Sequence, residues 1–214
     1  MLSITQTRKV FGIQKLERRL VKGMNVNSLK AQDGLHWQVI EEIAASVDSI
    51  DAHAIDHAVE LIAAARHVSV FGCGREGLQI RGFAMRLFHM GRSVSVVGEM
   101  VTPSIGDGDL FLVVAGPGTL STASALVGVA RASGALVLTI TAQPQGPVPR
   151  ESDEVLVLPA QTMANDQGQT GSAMAMGSVF EGALFVLFEV MTLKLKAAFG
   201  ISDADMRKNH TNLE

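Results

Sequence analysis

Residues 68–91 constrain the fold of this chain more than any other segment. Val68–Gly72 has the β-branched and aromatic composition of a buried strand, and it runs directly into a glycine-rich turn at residues 72–77. Beyond the turn, apolar residues return at about the 3.6-residue period of a helix: Leu78, Phe83, Leu87 and Met90. The order strand, tight turn and helix predicts the first half of a βαβ unit, whose turn lies at the edge where open α/β sheets bind ligands.

The glycines of this turn, Gly72, Gly74 and Gly77, have the spacing G-x-G-x-x-G found in dinucleotide-binding proteins. The acidic residue that ends the next strand, Glu99, is not set in a pattern that indicates a ribose-binding site. We therefore expect no nicotinamide or flavin and no other cofactor. The turn keeps a more general property, because backbone N–H groups at a helix N-terminus attract anions.

The rest of the chain alternates between strands and helices. Further strands are predicted at 94–97, 110–114, 136–141 and 154–158. Helices are predicted at 35–47 (with Trp37, Ile40, Ile43, Ala44 and Val47 on one face), from about 51, at 120–133 and at 173–199. This alternation predicts a parallel sheet with right-handed crossovers. The expected fold is a three-layer α/β/α sandwich with a five-stranded sheet in the flavodoxin-like order 2-1-3-4-5.

A second glycine turn, at residues 115–121, follows the predicted third strand and opens a helix. In the order 2-1-3-4-5 the first and third strands are neighbours whose helices leave on opposite faces, so their carboxyl ends form a crevice. We expect the two turns, 72–77 and 115–121, to meet there. The hydroxyls of Thr119, Ser121 and Thr122 either donate to a ligand anion or only cap the helix.

One acidic residue, Glu181, is embedded in an otherwise apolar helical segment. Burial disfavours a carboxylate, so its pKa should rise, and a carboxyl group poised nearer neutrality suits the transfer of a proton between adjacent carbons. The alternative is an ion pair at a subunit interface. Glu189, two turns further on, fits that alternative better.

Several segments of the chain resemble the sugar isomerase (SIS) domain family, and within it the hexuloisomerase branch. The resemblance covers the chain from about residue 35 to its end. It is carried by Gly74-Arg75 with Gly77-Leu78, by residues 83–87, by Val97-Gly98-Glu99 with Thr102-Pro103, by residues 105–110, by Gly177-x-x-Phe180-Glu181 and by the tail 210–214.

The resemblance implies the five-stranded parallel sheet and an assembly of dimers or tetramers with active sites at subunit interfaces. It also implies a reaction that moves a carbonyl between C2 and C3 of a hexulose 6-phosphate through a cis-enediol. By position, Glu181 corresponds to the catalytic base of the family. His210 corresponds to the tail histidine, which would assist ring opening or proton transfer across an interface.

The chain departs from the family pattern at its two glycine turns. A serine that binds phosphate in the family is replaced by Glu76, and the sequence Ser-Gly-Ser-Gly-Glu-Thr is replaced by residues 115–120, Ala-Gly-Pro-Gly-Thr-Leu. The second turn thereby loses three hydroxyl donors, and Pro117 also removes a backbone N–H. A carboxylate at Glu76 would repel a phosphate by roughly 1–4 kcal/mol.

Two hypotheses follow for the function. The first is a keto-sugar or aldose–ketose isomerase whose substrate lacks a phosphate at the usual site. The second is a non-catalytic module that binds or senses a sugar or sugar phosphate. An unaltered hexulose-phosphate isomerase remains possible if the turns rearrange. The candidate substrate-binding residues are Gly74, Arg75, Glu76, Gly116, Gly118, Thr119, Ser121 and Thr122.

Residues 1–32 form a predicted basic extension to a single domain at 33–214. The extension carries seven Lys and Arg against one acid, whereas the remainder carries 11 basic and 20 acidic residues. It could dock on another subunit, bind nucleic acid or be unfolded. Its aromatic content is one residue, Phe11, so we expect no nucleic-acid partner. Met24 is an alternative start.

Only 18% of the residues are charged, and the mean hydropathy is +0.27. Both values favour a homo-oligomer in which the apolar last helix is covered. No apolar run is long enough for a membrane span and no signal peptide is evident, so we expect no membrane partner.

A single cysteine, Cys73, fits the cytoplasm. It precedes a helix, where a thiol pKa can fall, although a small residue in a tight turn needs no such role.

Two histidines, His53 and His57, are four residues apart on a predicted helix. This spacing allows two ligands to a metal ion, but no third ligand is nearby in the sequence. We therefore expect a solvated surface pair and no metal.

Overall fold

The computed structural model describes residues 34–167 and 172–213. The predicted basic extension, 1–32, lies outside these residues, so its boundary and role stay predictions. The chain divides into two compact units, residues 1–41 and 42–214, and the boundary lies within the first described helix. In the part of the first unit that is described, the apolar side chains of Leu35, Trp37 and Ile40 are exposed.

The described residues form five strands and seven helices. The strands are β1 (Val68–Gly72), β2 (Val94–Val96), β3 (Leu110–Val114), β4 (Leu136–Thr141) and β5 (Glu154–Val157). The helices are α1 (Gly34–Asp48), α2 (Ala52–Ala64), α3 (Gly74–His89), α4 (Ser121–Ala132), α5 (Pro147–Arg150), α6 (Ser178–Phe199) and α7 (Asp203–Lys208). None of them is long and apolar enough to cross a membrane.

The five strands form one parallel sheet in the order β2-β1-β3-β4-β5, which confirms the predicted fold class. β3 lies at the centre, and all five of its residues are buried because helices cover both faces of the sheet. The register pairs Val70 of β1 with Leu112 of β3 and places Gly72 beside Val114. The carboxyl ends of β1 and β3 are therefore level with each other.

Apolar side chains fill the space on both faces of the sheet. On one face α2, α3 and α6 pack over the strands, and the rings of Phe83 and Phe188 stack with centroids 4.5 Å apart. The other face is smaller and is covered by α4 and by Val148 of α5. Each fully buried large side chain stabilises the fold by about 1.5–3 kcal/mol, so these two layers hold the strand ends at a fixed spacing.

The last long helix begins at Ser178, five residues later than predicted. Met176 and Gly177 both have positive φ, 55° and 78°, which ends any helical run that approaches from residue 173. A Cβ at Gly177 would lie only 3.1 Å from Cα of Thr162, so the loop after β5 packs directly against the start of α6. The carboxylate of Glu42 accepts a hydrogen bond of 2.8 Å from the N–H of Ala173 and holds the preceding segment outside the helix.

Two predictions of buried helix faces were wrong in part. On α3, Leu78 is 67% exposed, and the buried positions are set by Phe83, with Ile80 and Ala84 beside it. On α1, Ala44 is exposed, and only Ile43 and Val47 pack against the core. Leu78 at the start of α3 and Ala44 within α1 both satisfy the apolar period, but no neighbouring element of the described structure covers their side chains.

Candidate active site

The two glycine turns, 72–77 and 115–121, meet at the carboxyl ends of β1 and β3 and form what we call the switch-point crevice. The contact between them is direct, because Oε2 of Glu76 accepts a hydrogen bond of 3.0 Å from the backbone N–H of Gly116. Glu76 lies in the first turn of α3. Its carboxyl group therefore occupies a backbone donor that would otherwise be available to a ligand.

Gly116 is required by the close packing at this point. A Cβ at Gly116 would lie 2.5 Å from Oε1 of Glu76 and 2.8 Å from Cε1 of Phe180. The Glu76 carboxyl and the Phe180 ring thus both lie against the same glycine. Because Phe180 precedes Glu181 on α6, this packing brings α6 to the crevice formed by β1 and β3.

Burial raises the pKa of Glu76 to about 7. The hydrogen bond from Gly116 acts in the opposite direction, and the negative charge of Glu181 adds to the increase. Glu76 therefore changes its protonation state near neutral pH, and the two carboxyl groups are close enough to influence each other.

The second carboxyl group belongs to Glu181, in the first turn of α6. Its side chain is 12% exposed, and Nη1 of Arg75 lies 2.9 Å from its Oε2. The pair is an ion pair by distance, but Oε2 accepts no well-aligned hydrogen bond within the described residues. The same Nη1 donates to Oγ of Ser178 at 2.7 Å.

Burial raises the pKa of Glu181, and the positive charge of Arg75 opposes the increase. The expected increase for an acid in an apolar helix is thus confirmed in direction, and the cause is the expected one. A carboxylate that retains an oxygen without an aligned donor is able to accept a proton from a substrate.

A hydrogen bond from the last residue of β4 fixes the second glycine turn. Oγ1 of Thr141 donates to the carbonyl of Gly116 at 3.2 Å. Gly118 has φ of 72°, and a Cβ there would lie 2.6 Å from the carbonyl oxygen of Gln143, so glycine is needed for both reasons. These contacts hold the N–H of Gly116 in its direction toward Glu76.

The three hydroxyl residues at this turn, Thr119, Ser121 and Thr122, are exposed. The N-cap of α4 is Leu120, which makes no side-chain cap bond, so the capping use of these hydroxyls is not realised in the described structure. They stay predicted ligand donors. Gly74 begins α3 with φ of 56° and has open space around it.

His210 is not brought to Glu181 within this chain. Its ring stacks on His89 with centroids 5.0 Å apart, and its Nδ1 lies 3.0 Å from the carbonyl oxygen of Thr211. His89 ends α3 whereas Glu76 is near its start, so about 20 Å of helix separates them. The role of His210 stays a prediction, and within one chain its position does not support that role.

The remaining candidates do not gather at the crevice. Burial raises the pKa of Cys73, and Glu76 adds to the increase, so the thiol is not activated as its place before a helix suggested. Nε2 of His57 lies 3.4 Å from Oε2 of Glu154, which begins the edge strand β5, and His53 is exposed. Among the described residues no group of three or more His, Cys, Asp or Glu could hold a metal ion.

A cleft of about 750 Å³ lies elsewhere, at the amino-terminal edge of the sheet. Its walls include residues 107–110 before and at the start of β3 and residues 134–136 before β4. This cleft is not lined by Glu76 or Glu181. We therefore assign the site from these two carboxyl groups and not from cavity size.

Sequence reasoning missed the pairing of Arg75 with Glu181 and the contact of Ser178 with the same guanidinium. It also missed the loop at Thr162, which fixes the start of α6. For Ser178 the sequence did carry a signal, because this residue directly follows Gly177 and lies three residues before Glu181. The loop carried no signal, because its role depends on close backbone packing.

A family model, the SIS domain, matches residues 61–187, the segment that contains all five strands and both glycine turns. The chain belongs to the SIS domain family. Curated relatives of this SIS chain include a 3-hexulose-6-phosphate isomerase of Methylomonas aminofaciens, 38% identical over 74% of this chain and 87% of the relative. Another, from Mycobacterium gastri, is 34% identical over 82% of this chain and 88% of the relative. These relatives identify the SIS chain as an isomerase.

The fold is also found in solved structures. One is a Methanococcus jannaschii protein for which a function of 3-hexulose-6-phosphate isomerase was inferred. It superimposes with a TM-score of 0.71, covers 86% of this chain and 99% of its own, and is 23% identical. At that identity the likeness supports the fold alone.

Proposed function

We propose that this chain is a sugar isomerase of the hexulose-phosphate type, which moves a carbonyl between C2 and C3 of a keto-sugar through a cis-enediol. The observation that carries the proposal is the carboxylate of Glu181, nearly buried beside Arg75 with one oxygen free of an aligned donor. The names of the curated relatives support the substrate class, a sugar phosphate.

In this mechanism Glu181 is the base. Its carboxylate removes the proton from the hydroxyl-bearing carbon next to the carbonyl, and returns it to the former carbonyl carbon after the enediol has formed. One carboxylate reaches both positions because the two carbons are adjacent. The raised pKa of Glu181 favours this role, since a base nearer to the operating pH is also a competent acid on the return step.

Arg75 positions this base. Its Nη1 contacts both Oε2 of Glu181 and Oγ of Ser178, so the guanidinium links the start of α3 to the start of α6. Arg75 is also 60% exposed, which leaves its other nitrogens able to bind a substrate oxygen.

Anion recognition at the switch-point crevice is altered. The N–H of Gly116 is taken by Glu76, and Pro117 has no N–H to offer. A phosphate held by these turns would meet the ionised form of Glu76 at a cost of roughly 1–4 kcal/mol, or would require Glu76 to be protonated. We therefore propose that the substrate either lacks a phosphate at this position or binds its phosphate elsewhere, with Glu76 bound to sugar hydroxyls.

The functional unit is proposed to be a homo-oligomer, a dimer or a tetramer. Phe185 and Leu193 on α6 are 56% and 64% exposed in the single chain, and covering them would remove apolar surface from water. In such an assembly His210 of one copy would assist proton transfer in the crevice of another.

Turnover of fructose 6-phosphate and of free fructose, followed by the change in the ¹³C carbonyl signal, tests the proposal. We expect a carbonyl shift between C2 and C3 with at least one of these sugars, and loss of the shift in Glu181→Gln. If the wild-type protein binds sugars in a thermal-shift assay but leaves every carbonyl in place, the chain is instead a non-catalytic sugar-binding module.

A further inference from the structure

Moving a carbonyl between two carbons requires two proton transfers, and the base accounts for one of them. The first proton moves between C2 and C3. The second moves between the two oxygens, because the old carbonyl oxygen must gain a proton and the old hydroxyl must lose one. The inference below rests on the proposed function and concerns this second proton.

We propose that Glu76 is the second proton carrier of the reaction, moving a proton between the two substrate oxygens while Glu181 moves one between the two carbons. The position of its carboxyl group supports this. It lies at the carboxyl ends of β1 and β3, held at Oε2 by the N–H of Gly116, and on the same glycine as the ring of Phe180. Phe180 adjoins Glu181, so both carboxyl groups serve one crevice.

The surroundings of the two carboxyl groups divide the roles between them. Glu181 lies 2.9 Å from the guanidinium of Arg75, which favours its ionised form. Glu76 is held by a neutral N–H, and burial together with the charge of Glu181 raises its pKa to about 7. Within the part of the chain that the structure describes, Glu76 also interacts with the thiol of Cys73. Near neutral pH Glu76 is therefore present both as the acid and as the carboxylate, and the guanidinium beside Glu181 assigns the base role to that residue.

The cycle balances without any further reactant. With the carbonyl at C3, Glu181 takes the proton from C2 while the protonated Glu76 gives its proton to O3, which yields the C2=C3 enediol. The Glu76 carboxylate then takes the proton from O2, and Glu181 returns its proton to C3. The carbonyl is now at C2, and both residues have regained their starting protonation states.

The variant Glu76→Gln tests this inference, because the amide keeps an oxygen for the Gly116 N–H but cannot carry the proton. For the wild type we expect kcat/KM to fall above about pH 7, as the acid form of Glu76 is lost. In Glu76→Gln we expect kcat to fall by about 10²–10⁴-fold and that alkaline limb to disappear. Glu76→Asp should regain part of the rate together with the limb.

Glu189→Gln is the matched control, since Glu189 lies on α6 but pairs with Arg86 at 3.4 Å, and it should leave the rate and the profile unchanged. If the wild type turns over a hexulose and Glu76→Gln keeps its rate or its alkaline limb, Glu76 carries no proton and this inference alone fails. If Glu76→Gln does not fold, Glu76→Asp decides, and loss of its alkaline limb overturns the inference. A wild type that moves no carbonyl removes the proposed function itself.

Discussion

Oε2 of Glu76 lies 3.0 Å from the backbone nitrogen of Gly116, so a side chain of the protein occupies the donor that links the two glycine turns. The contact joins α3 to the end of β3 and is possible only because residue 116 has no Cβ. It places a titratable group where the family pattern has a serine. We propose that the substrate preference of the chain follows from this exchange.

The double change Glu76→Ser with Pro117→Ser should strengthen the binding of fructose 6-phosphate about tenfold or more. It removes the Glu76 carboxyl group, frees the N–H of Gly116, restores an N–H at residue 117 and adds two hydroxyls, and hydrogen bonds to charged groups contribute about 1.5–3 kcal/mol each. Titration calorimetry with the phosphate and with free fructose measures the effect. Because Glu76 is also proposed to carry a proton, kcat should fall while binding improves.

The matched control is Glu76→Ser with Pro117→Ala, which restores the N–H without the second hydroxyl and should give an intermediate gain. Tight phosphate binding by the wild type, unchanged in the double variant, would show that the crevice does not discriminate against phosphate.

The variant Glu76→Gln should become more stable relative to the wild type as pH rises. The folded pKa of Glu76, about 7, is above its ordinary value of 4.5, so the folded state binds more protons than the unfolded state between these values. The unfolding free energy of the wild type therefore loses a contribution as pH rises from about 4.5 to 7, by up to about 3 kcal/mol at 1.36 kcal/mol per pH unit. The variant has no such dependence.

Urea unfolding at several values between pH 4.5 and 8 measures this difference. Glu60→Gln, at an exposed position of α2, is the control and should show a constant difference. A constant difference for Glu76→Gln as well would mean that Glu76 is not held in a buried environment.

Gly116→Ala should destabilise the fold by about 1–3 kcal/mol, because the added methyl group overlaps the Phe180 ring and the Glu76 carboxyl. Gly82→Ala is the matched control. It lies within α3 with open space around its Cβ position, and should stabilise by about 0.5–1 kcal/mol through helix propensity. Thermal unfolding compares the two, and equal effects would contradict the packing described at Gly116.

The sequence predicted the sheet well and the site only in part. The strands β3 and β4 were predicted at their observed bounds, because a strand buried on both faces is a continuous apolar run between turns. The meeting of the two glycine turns followed from strand order alone. The Arg75–Glu181 pair did not, because it depends on where α6 begins. That start is set by the left-handed backbone of Gly177 against Thr162, which no periodicity reveals.

The oligomer prediction is tested by light scattering. We expect a dimer or tetramer at micromolar concentration, and a shift toward monomer when Phe185 and Leu193 of α6 are both changed to Asp. Val129→Asp, equally exposed on α4 across the sheet, is the control and should leave the assembly intact. A stable wild-type monomer would contradict the proposal and would leave His210 without an active site to reach.

The most direct test of the account is deuterium exchange in D₂O at C3 of whichever sugar the wild type turns over, fructose 6-phosphate or free fructose, followed by ¹H NMR. The wild type should exchange this proton, because Glu181 removes it to form the enediol. Glu181→Gln, which keeps the shape of the side chain, should lose exchange and turnover while substrate binding is nearly unchanged. Glu189→Gln should exchange as the wild type does. Exchange that continues undiminished in a folded Glu181→Gln would remove Glu181 from the mechanism and contradict the account.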